Sequence, residues 1–417
     1  MIGAARLAPT EARQLNIVHV TADYPDAICG DKTAAIKRWV ELVDDRFNQQ
    51  IISLNRISPS FTGLAELLVP GRNPVRSWAQ HGNLASVEYA APARGVLHQT
   101  MLLRLADVLS AKLEHLPRPD LLVAHKLTVE GLAVAKVARR LGVPYAVTLQ
   151  GDSDTKIIMA RPDLARQFGK VLADAAVVFA MAPWGLDEVQ RRLKVSVRDA
   201  VVLPCAVLAD TPVSPRLVEG EFASAFHLKN YRRKNFPKLC QAFALAHRQM
   251  PGIRLTVYGG GSVELQSRVA GISEQYQAIT LAGPVQNGDL PARFNGSTGF
   301  VMPSLRETFG MVFLEALFAG CPVIYPAGQA IHGYFEAKSF ALPVERNDTG
   351  SIADALLQCA RDQRHIKAAL ADWQQSGDAA RFQRTTIGTT FAAGLVRAAA
   401  SSPSYKRITH SSVEHSA

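Results

Sequence analysis

The stretch GFVMPSLRETFGMVFLE, Gly299 to Glu315, decides how this chain is read. Its apolar opening, Gly299–Met302, has the length and composition of a buried strand, ended at Pro303. A loop then carries Glu307 into Thr308-Phe309-Gly310, and the apolar spacing predicts a helix over Phe309–Phe318. Glu315 falls about two turns in, among Val312, Leu314 and Leu317. Burying a carboxylate there is costly unless it accepts hydrogen bonds, which ribose hydroxyls would donate. Open α/β sheets bind ligands beyond the carboxyl ends of their strands, where a helix start offers unpaired N–H groups and a positive dipole end to phosphate. In that arrangement the N–H groups of Phe309, Gly310 and Met311 face a diphosphate or sugar, and Glu307 takes hexose hydroxyls. One glutamate alone would be explained as a solvated carboxylate at a helix start. Two at this spacing call for a ligand.

The strand-loop-helix rhythm extends in both directions. Toward the N-terminus, strands are read at Asn16–Thr21, Gln50–Leu54, Asp120–Ala124, Pro144–Leu149, Ala175–Met181 and Ala200–Leu203, with helices at Thr33–Asp45, Gln99–His115 and Val129–Leu141. Residues 56–95, with Pro59, Pro70, Gly71, Pro74 and Pro92, read as irregular apart from a strand at Ser86–Tyr89. The alternation restarts at Glu221–Leu228 (strand), Asn235–Met250 (helix), Arg254–Tyr258 (strand), Val263–Ile272 (helix), Ala278–Leu281 (strand) and, past the opening stretch, Pro322–Tyr325. Helices follow at Ser351–Asp362, His365–Ser376 and Arg381–Ala400. The 417 residues exceed what one hydrophobic core usually supports. The expected fold is therefore α/β, with two Rossmann-like, doubly wound parallel-sheet domains. Their expected bounds are 15–205 and 206–390, with a linker near 204–217, an N-terminal tail 1–14, and a helix end and disordered Ser/His-rich tail over 391–417.

Pro303-Ser304-x-x-Glu307-x-Phe309-Gly310, Glu315-Ala316 and Ala319-Gly320-x-Pro322-Val323-Ile324 together resemble the Glu-x7-Glu signature of retaining GT-B glycosyltransferases, in their largest, family 4-like group. The flanks are similar too: Val257–Gly261 to that family's strand and glycine turn, Leu281-Ala-Gly-Pro-Val285 to its loop over the base, and Val201–Ala206 to the end of its N-terminal domain. Asn16–Gly30, Pro119–His125 and Gly142–Gly151 resemble its acceptor domain, so the likeness covers roughly residues 15–390.

The resemblance implies a GT-B architecture, two domains facing a cleft, and a hexosyl group passed with retained configuration from a nucleotide diphosphate sugar to a lipid-linked, polysaccharide or other glycan acceptor. It places Glu307 on the donor sugar and Glu315 on the ribose, with Gly259 and Val285 beside the donor. It asks for no metal and for no cofactor beyond the donor. The family neutralises the departing diphosphate with an arginine and a lysine after the first strand of the second domain. Lys234 matches the lysine; no Gly-Arg follows the strand, where His227 and Lys229 lie instead. A lysine brings a point charge without the arginine fork, and a histidine neutralises only when protonated. On the acceptor side the resemblance brings Gly30 near the donor phosphates and sets His125 and Gln150-Gly151-Asp152 at the cleft; relatives often have His-Gly in place of Gln150-Gly151. In such enzymes the departing phosphate is thought to take the acceptor's proton. His125 alone fits a hydrogen-bonded structural histidine equally well. Other readings of the same architecture are a nucleotide-sugar epimerase, against which the Glu-x7-Glu segment argues, and a binding or regulatory protein with a decayed site.

Two features mimic other chemistries. Asp152-Ser-Asp154 has the look of an Asp-x-Asp metal motif, but two loop aspartates are commonplace, and no metal is assigned. Gly259-Gly260-Gly261 lacks the GxGxxG order of a dinucleotide site. Lysine plus arginine (46) exceeds aspartate plus glutamate (36), a formal charge of +10 that suits an anionic partner. The basic residues are scattered, with no interleaved aromatics, which argues against nucleic acid and leaves a diphosphate donor or an anionic membrane surface. Five dispersed cysteines, no apolar leader and no 18-residue apolar window are read as a cytoplasmic protein, peripheral at most to the inner face of the membrane.

Overall fold

The computed structural model describes residues 13–59, 69, 71–92, 95–286 and 288–401. Most of the expected N-terminal tail, Pro70 and the tail after Ser401 lie outside them.

Strands β1 (Asn16–Thr21), β2 (Asn48–Ile57), β3 (Val75–His81), β4 (Leu84–Ala90), β5 (Leu121–Ala124), β6 (Tyr145–Leu149), β7 (Val177–Ala180) and β8 (Val201–Val202) make one sheet, ordered β3-β4-β2-β1-β5-β6-β7-β8. Strands β9 (Glu221–Ala225), β10 (Arg254–Tyr258), β11 (Ile279–Gly283), β12 (Gly299–Val301), β13 (Val323–Pro326) and β14 (Ala341–Val344) make the other, ordered β11-β10-β9-β12-β13-β14 and parallel throughout. The two-sheet, Rossmann-like α/β architecture is thus as expected. β5, β6 and β7 read LLVA, YAVTL and VVFA and are buried at every residue. Continuous burial of that kind goes with strands covered on both faces.

By compactness the chain divides otherwise than by sheets. One unit takes in the described residues up to His125, Glu130–Ala146 and those from Ala392; the other is Lys126–Val129 with Val147–Phe391. Among the described residues no helix is long and apolar enough to cross a membrane.

Several local expectations need correction. The segment expected to be irregular apart from Ser86–Tyr89 contains that strand, as β4, and also β3, paired antiparallel to it and turning at Gly82, whose φ is +59°. β3, VRSWAQH, is a half-exposed strand, and its polar residues imitate a loop. The helix expected from Val129 begins as a π-helical turn, Leu127–Gly131, and becomes regular over Leu132–Leu141. The Thr33–Asp45 helix is shorter, Ala35–Glu41. β9 stops at Ala225, short of Leu228.

The first sheet buries a polar pair. His19 in β1 and His125 just past β5 are fully buried, with His19 Nδ1 3.0 Å from His125 Nε2 and the rings stacked at 5.2 Å. Nε2 of His19 lies 3.0 Å from Gln49 Oε1. Burial drives the His19 pKa down to about 4 against the opposing pull of Gln49, and burial with the neighbouring His19 lowers His125 well below its ordinary value. Both rings are therefore neutral in the fold at pH 7. Below the unfolded value of 6.5 the unfolded chain takes up protons that the folded chain refuses, so this contribution is complete above pH 6.5 and is lost as the pH falls toward 4. For His19 it amounts to about 3 kcal/mol. The urea midpoint is expected to fall between pH 7 and pH 5; a midpoint that holds or rises over that interval contradicts the neutral pair.

Candidate donor site

Strand order sets the site. From β9 the chain moves one way through β10 and β11, then crosses to the opposite side of β9 for β12, β13 and β14. β9 and β12 are parallel neighbours whose connections leave in opposite directions, which opens a crevice at their carboxyl ends. Two loops meet there: residues 226–235 after β9 and 302–310 after β12.

The first loop is rigid by construction. His227 Nδ1 accepts the Lys229 N–H at 3.1 Å and caps the short turn Leu228–Asn230. Lys234 N–H donates to Asn230 O at 2.8 Å. Asn235 takes a left-handed conformation, φ +60°, which asparagine tolerates well. Its side chain donates to Arg346 O at 2.7 Å, and the helix Phe236–Gln249 follows with a proline in its first turn. Leu305 N–H of the second loop donates to Arg233 O at 2.8 Å, stitching the two together.

Across that stitch, Lys234 Nζ is ion-paired with Glu307 Oε2, each side chain only 11 % exposed. Glu307 N–H donates to Gln329 Oε1 at 2.9 Å. The helix begins at Met311, not Phe309: its bounds are Met311–Phe318, with Gly310 as the left-handed residue before it at φ +72°. Phe309 is a buried loop residue with its ring edge against Tyr334. Glu315, half-buried, is the fifth helical residue, nearer one turn in than two. The N–H groups of Phe309 and Gly310 donate to no other described residue, which leaves them open to an acceptor ahead of the helix.

Of the sequence-derived candidates, Lys234 and Glu307 are brought into contact, and Phe309, Gly310, Met311 and Glu315 lie on the same loop and helix. His227 and Lys229 are exposed, with the His227 Nδ1 lone pair spent on its own turn. Gly259 follows β10 at a point where an added Cβ would meet Phe226 O at 1.9 Å, so the position admits only glycine. Val285 is half-buried just past β11. In the first sheet, Gly30 is exposed in a loop pinned by Asp26. Its carboxylate accepts from Cys29 N–H (2.8 Å), Asn55 Nδ2 (2.8 Å) and Lys32 Nζ (2.9 Å). Burial pushes the Asp26 carboxyl up, but these bonds and Ser53 outweigh it and hold the group well below the usual carboxylate range. His125 is committed to the internal pair with His19.

Two contributors, Trp184 and Arg306, escaped the sequence reading. Trp184 Nε1 donates to Thr308 O (3.2 Å) and Ala330 O (2.9 Å), anchoring the Glu307 loop. Gly151, at φ +81°, makes room for that indole: a Cβ there would lie 2.7 Å from it. Arg306 pairs with Asp152. Asp154, by contrast, is a buried structural acceptor, taking Gln150 N–H (2.9 Å), Thr128 N–H (3.0 Å) and Thr128 Oγ1 (2.8 Å). Burial still raises its pKa. None of these carries a local signal, because each joins segments far apart in the chain.

Comparison with known proteins bears on the fold. Residues 222–362 match the model of "Glycosyl transferases group 1", and residues 62–206 that of "Glycosyl transferase 4-like domain". Each of these two segments is thus similar to a glycosyltransferase domain, and the fold is GT-B. A D-inositol 3-phosphate glycosyltransferase of Pseudarthrobacter chlorophenolicus is 36 % identical over 110 residues, which cover 25 % of this chain and 26 % of that relative. Among solved structures, sucrose-phosphate synthase from Thermosynechococcus elongatus superposes with a TM-score of 0.66 at 16 % identity over 91 % of this GT-B chain and 98 % of that one. An E. coli structure described as trehalose-6-phosphate bound with UDP-2-fluoro glucose gives 0.62 at 12 % over 91 % and 98 %. A lipopolysaccharide outer core galactosyltransferase gives 0.63 at 13 % over 92 % and 99 %.

Gly310 is the most constrained point of the site. A Cβ there would lie 2.6 Å from the Phe313 ring and 3.1 Å from Glu307 Cγ, on a backbone that disfavours side chains. Gly310→Ala is expected to cost about 1–3 kcal/mol, read as a lowered unfolding midpoint. An unchanged midpoint would show the turn to be unstrained.

Proposed function

We propose that this protein is a retaining hexosyltransferase that binds a nucleotide diphosphate sugar at the β9–β12 crevice and passes the hexose to a hydroxyl of a glycan or lipid-linked acceptor. The observation that carries the reading is the Lys234–Glu307 pair ahead of the Met311–Phe318 helix. A cation and a carboxylate, nearly buried and paired with each other, are what a diphosphate sugar divides between its two ends. Phosphate takes the ammonium, and hexose hydroxyls donate to the carboxylate.

In this reading Lys234 neutralises the charge that develops as the diphosphate departs, where a fixed cation in a partly dry site lowers the barrier most. The N–H groups of Phe309 and Gly310 and the helix end add to it. Glu315 accepts from the ribose. A departing phosphate oxygen removes the acceptor proton, so the step needs no side-chain base, in keeping with a His125 that is buried against His19. The proposed chemistry uses neither metal nor further cofactor. A formal charge of +10 suits an anionic acceptor or a peripheral position on an anionic membrane.

Assays with a panel of nucleotide sugars are expected to show transfer, or slow donor hydrolysis without acceptor. Glu307→Ala should abolish transfer with the fold intact by circular dichroism. Lys234→Ala should lower kcat by about a hundredfold while shifting donor affinity less. Full activity in Glu307→Ala, or epimerised sugar as product, would refute the assignment.

A further inference from the structure

The loop that carries Glu307 bears a second charged side chain, Arg306. Its Nε donates to Asp152 Oδ1 at 2.9 Å and its Nη2 to Oδ2 at 2.7 Å, the two-point fork with which a guanidinium meets carboxylate or phosphate alike. Nη1 has no partner among the described residues. The Arg306 side chain is 41 % exposed and that of Asp152 16 %. An ion pair this open to solvent is weakly held, and a phosphate brings up to two charges where the carboxylate brings one.

The other cations of the two loops are Lys229, Arg232, Arg233 and Lys234; the first three are exposed, and Arg232 Nε donates to the Tyr231 hydroxyl. Lys234 is matched by Glu307, and His227 caps its own turn. A diphosphate carries more charge than one lysine can offset, and the guanidinium one residue from Glu307 is available at the cost of releasing Asp152.

We infer that Arg306 is the second phosphate-binding cation of this site, held on Asp152 and handed from carboxylate to phosphate when an anionic substrate enters. The inference rests on the donor-site reading above. The phosphate has two candidate sources: the donor's diphosphate, on whose loop Arg306 lies, or a phosphate on the acceptor, since Asp152 opens the helix Asp152–Ala160 after β6.

The test is a double-mutant cycle on the full chain with Arg306→Ala, Asp152→Asn and the double variant, with Arg306→Lys as a conservative control. Calorimetric titration of UDP and GDP against the bare nucleosides reports the donor arm. KM for hexose 6-phosphates against free hexoses reports the acceptor arm. Asp152→Asn is expected to tighten the phosphate-bearing ligand about two- to fivefold, and that gain should vanish in the Arg306→Ala background. Arg306→Ala should weaken the same ligand about tenfold and leave its phosphate-free counterpart unchanged, with Arg306→Lys between. Effects confined to nucleoside diphosphates, or to phosphorylated acceptors, support the inference and name the source. If the wild type binds nucleoside diphosphate and every Arg306 and Asp152 variant matches it on all phosphate ligands, Arg306 has no such role and the donor site stands without it. If the wild type binds none, the donor reading fails and takes this inference with it.

Discussion

The divergence of two parallel neighbours, β9 and β12, is the constraint on which the rest of the site depends. Because the connection after β9 runs to β10 and that after β12 runs to β13, neither loop can fold over the other's strand end. The loops meet edge to edge through the Leu305–Arg233 backbone bond and the Lys234–Glu307 pair. Gly259 and Gly310 permit that approach at points where any side chain would strike backbone carbonyl or ring. A glutamate or lysine elsewhere on the surface would be ordinary; here the topology forces both into one crevice at the head of a helix.

Charge on the 302–310 loop is balanced in pairs. Lys234 with Glu307 and Arg306 with Asp152 leave the 302–310 loop locally near neutral. Stranding one member of the nearly buried Lys234–Glu307 pair costs several times what breaking an exposed pair does, which keeps the loop in one arrangement. Trp184 and Gln329 hold the loop's backbone from outside the charged groups. An anionic, hydroxyl-rich ligand can exchange with such pairs without leaving a charge unpaired.

The sequence revealed elements more readily than contacts. Runs such as LLVA and VVFA are apolar throughout because both faces of their strands are covered, and they were legible for that reason. β3 was not, because a half-exposed strand with Arg76, Ser77 and Gln80 has the composition of a loop. Glu307 was legible through its spacing from Glu315, and Lys234 through the family resemblance. Their mutual contact spans 73 positions and was not. The helix start was misplaced by two residues because Phe309, apolar and buried, continues the helical pattern while its side chain packs on Tyr334. The Asp152-Ser-Asp154 pair, set aside as a metal motif, has two separate partners: Asp154 accepts from Thr128, 26 positions away, and Asp152 reaches an arginine 154 positions away.

The most direct test of the account is a crystal structure of this protein soaked with a nucleoside diphosphate. The account predicts phosphate between the 226–235 and 302–310 loops, the Lys234–Glu307 contact opened toward it, and the ribose hydroxyls on Glu315. A nucleotide bound away from the carboxyl ends of β9 and β12, with Lys234 still closed on Glu307, would contradict it.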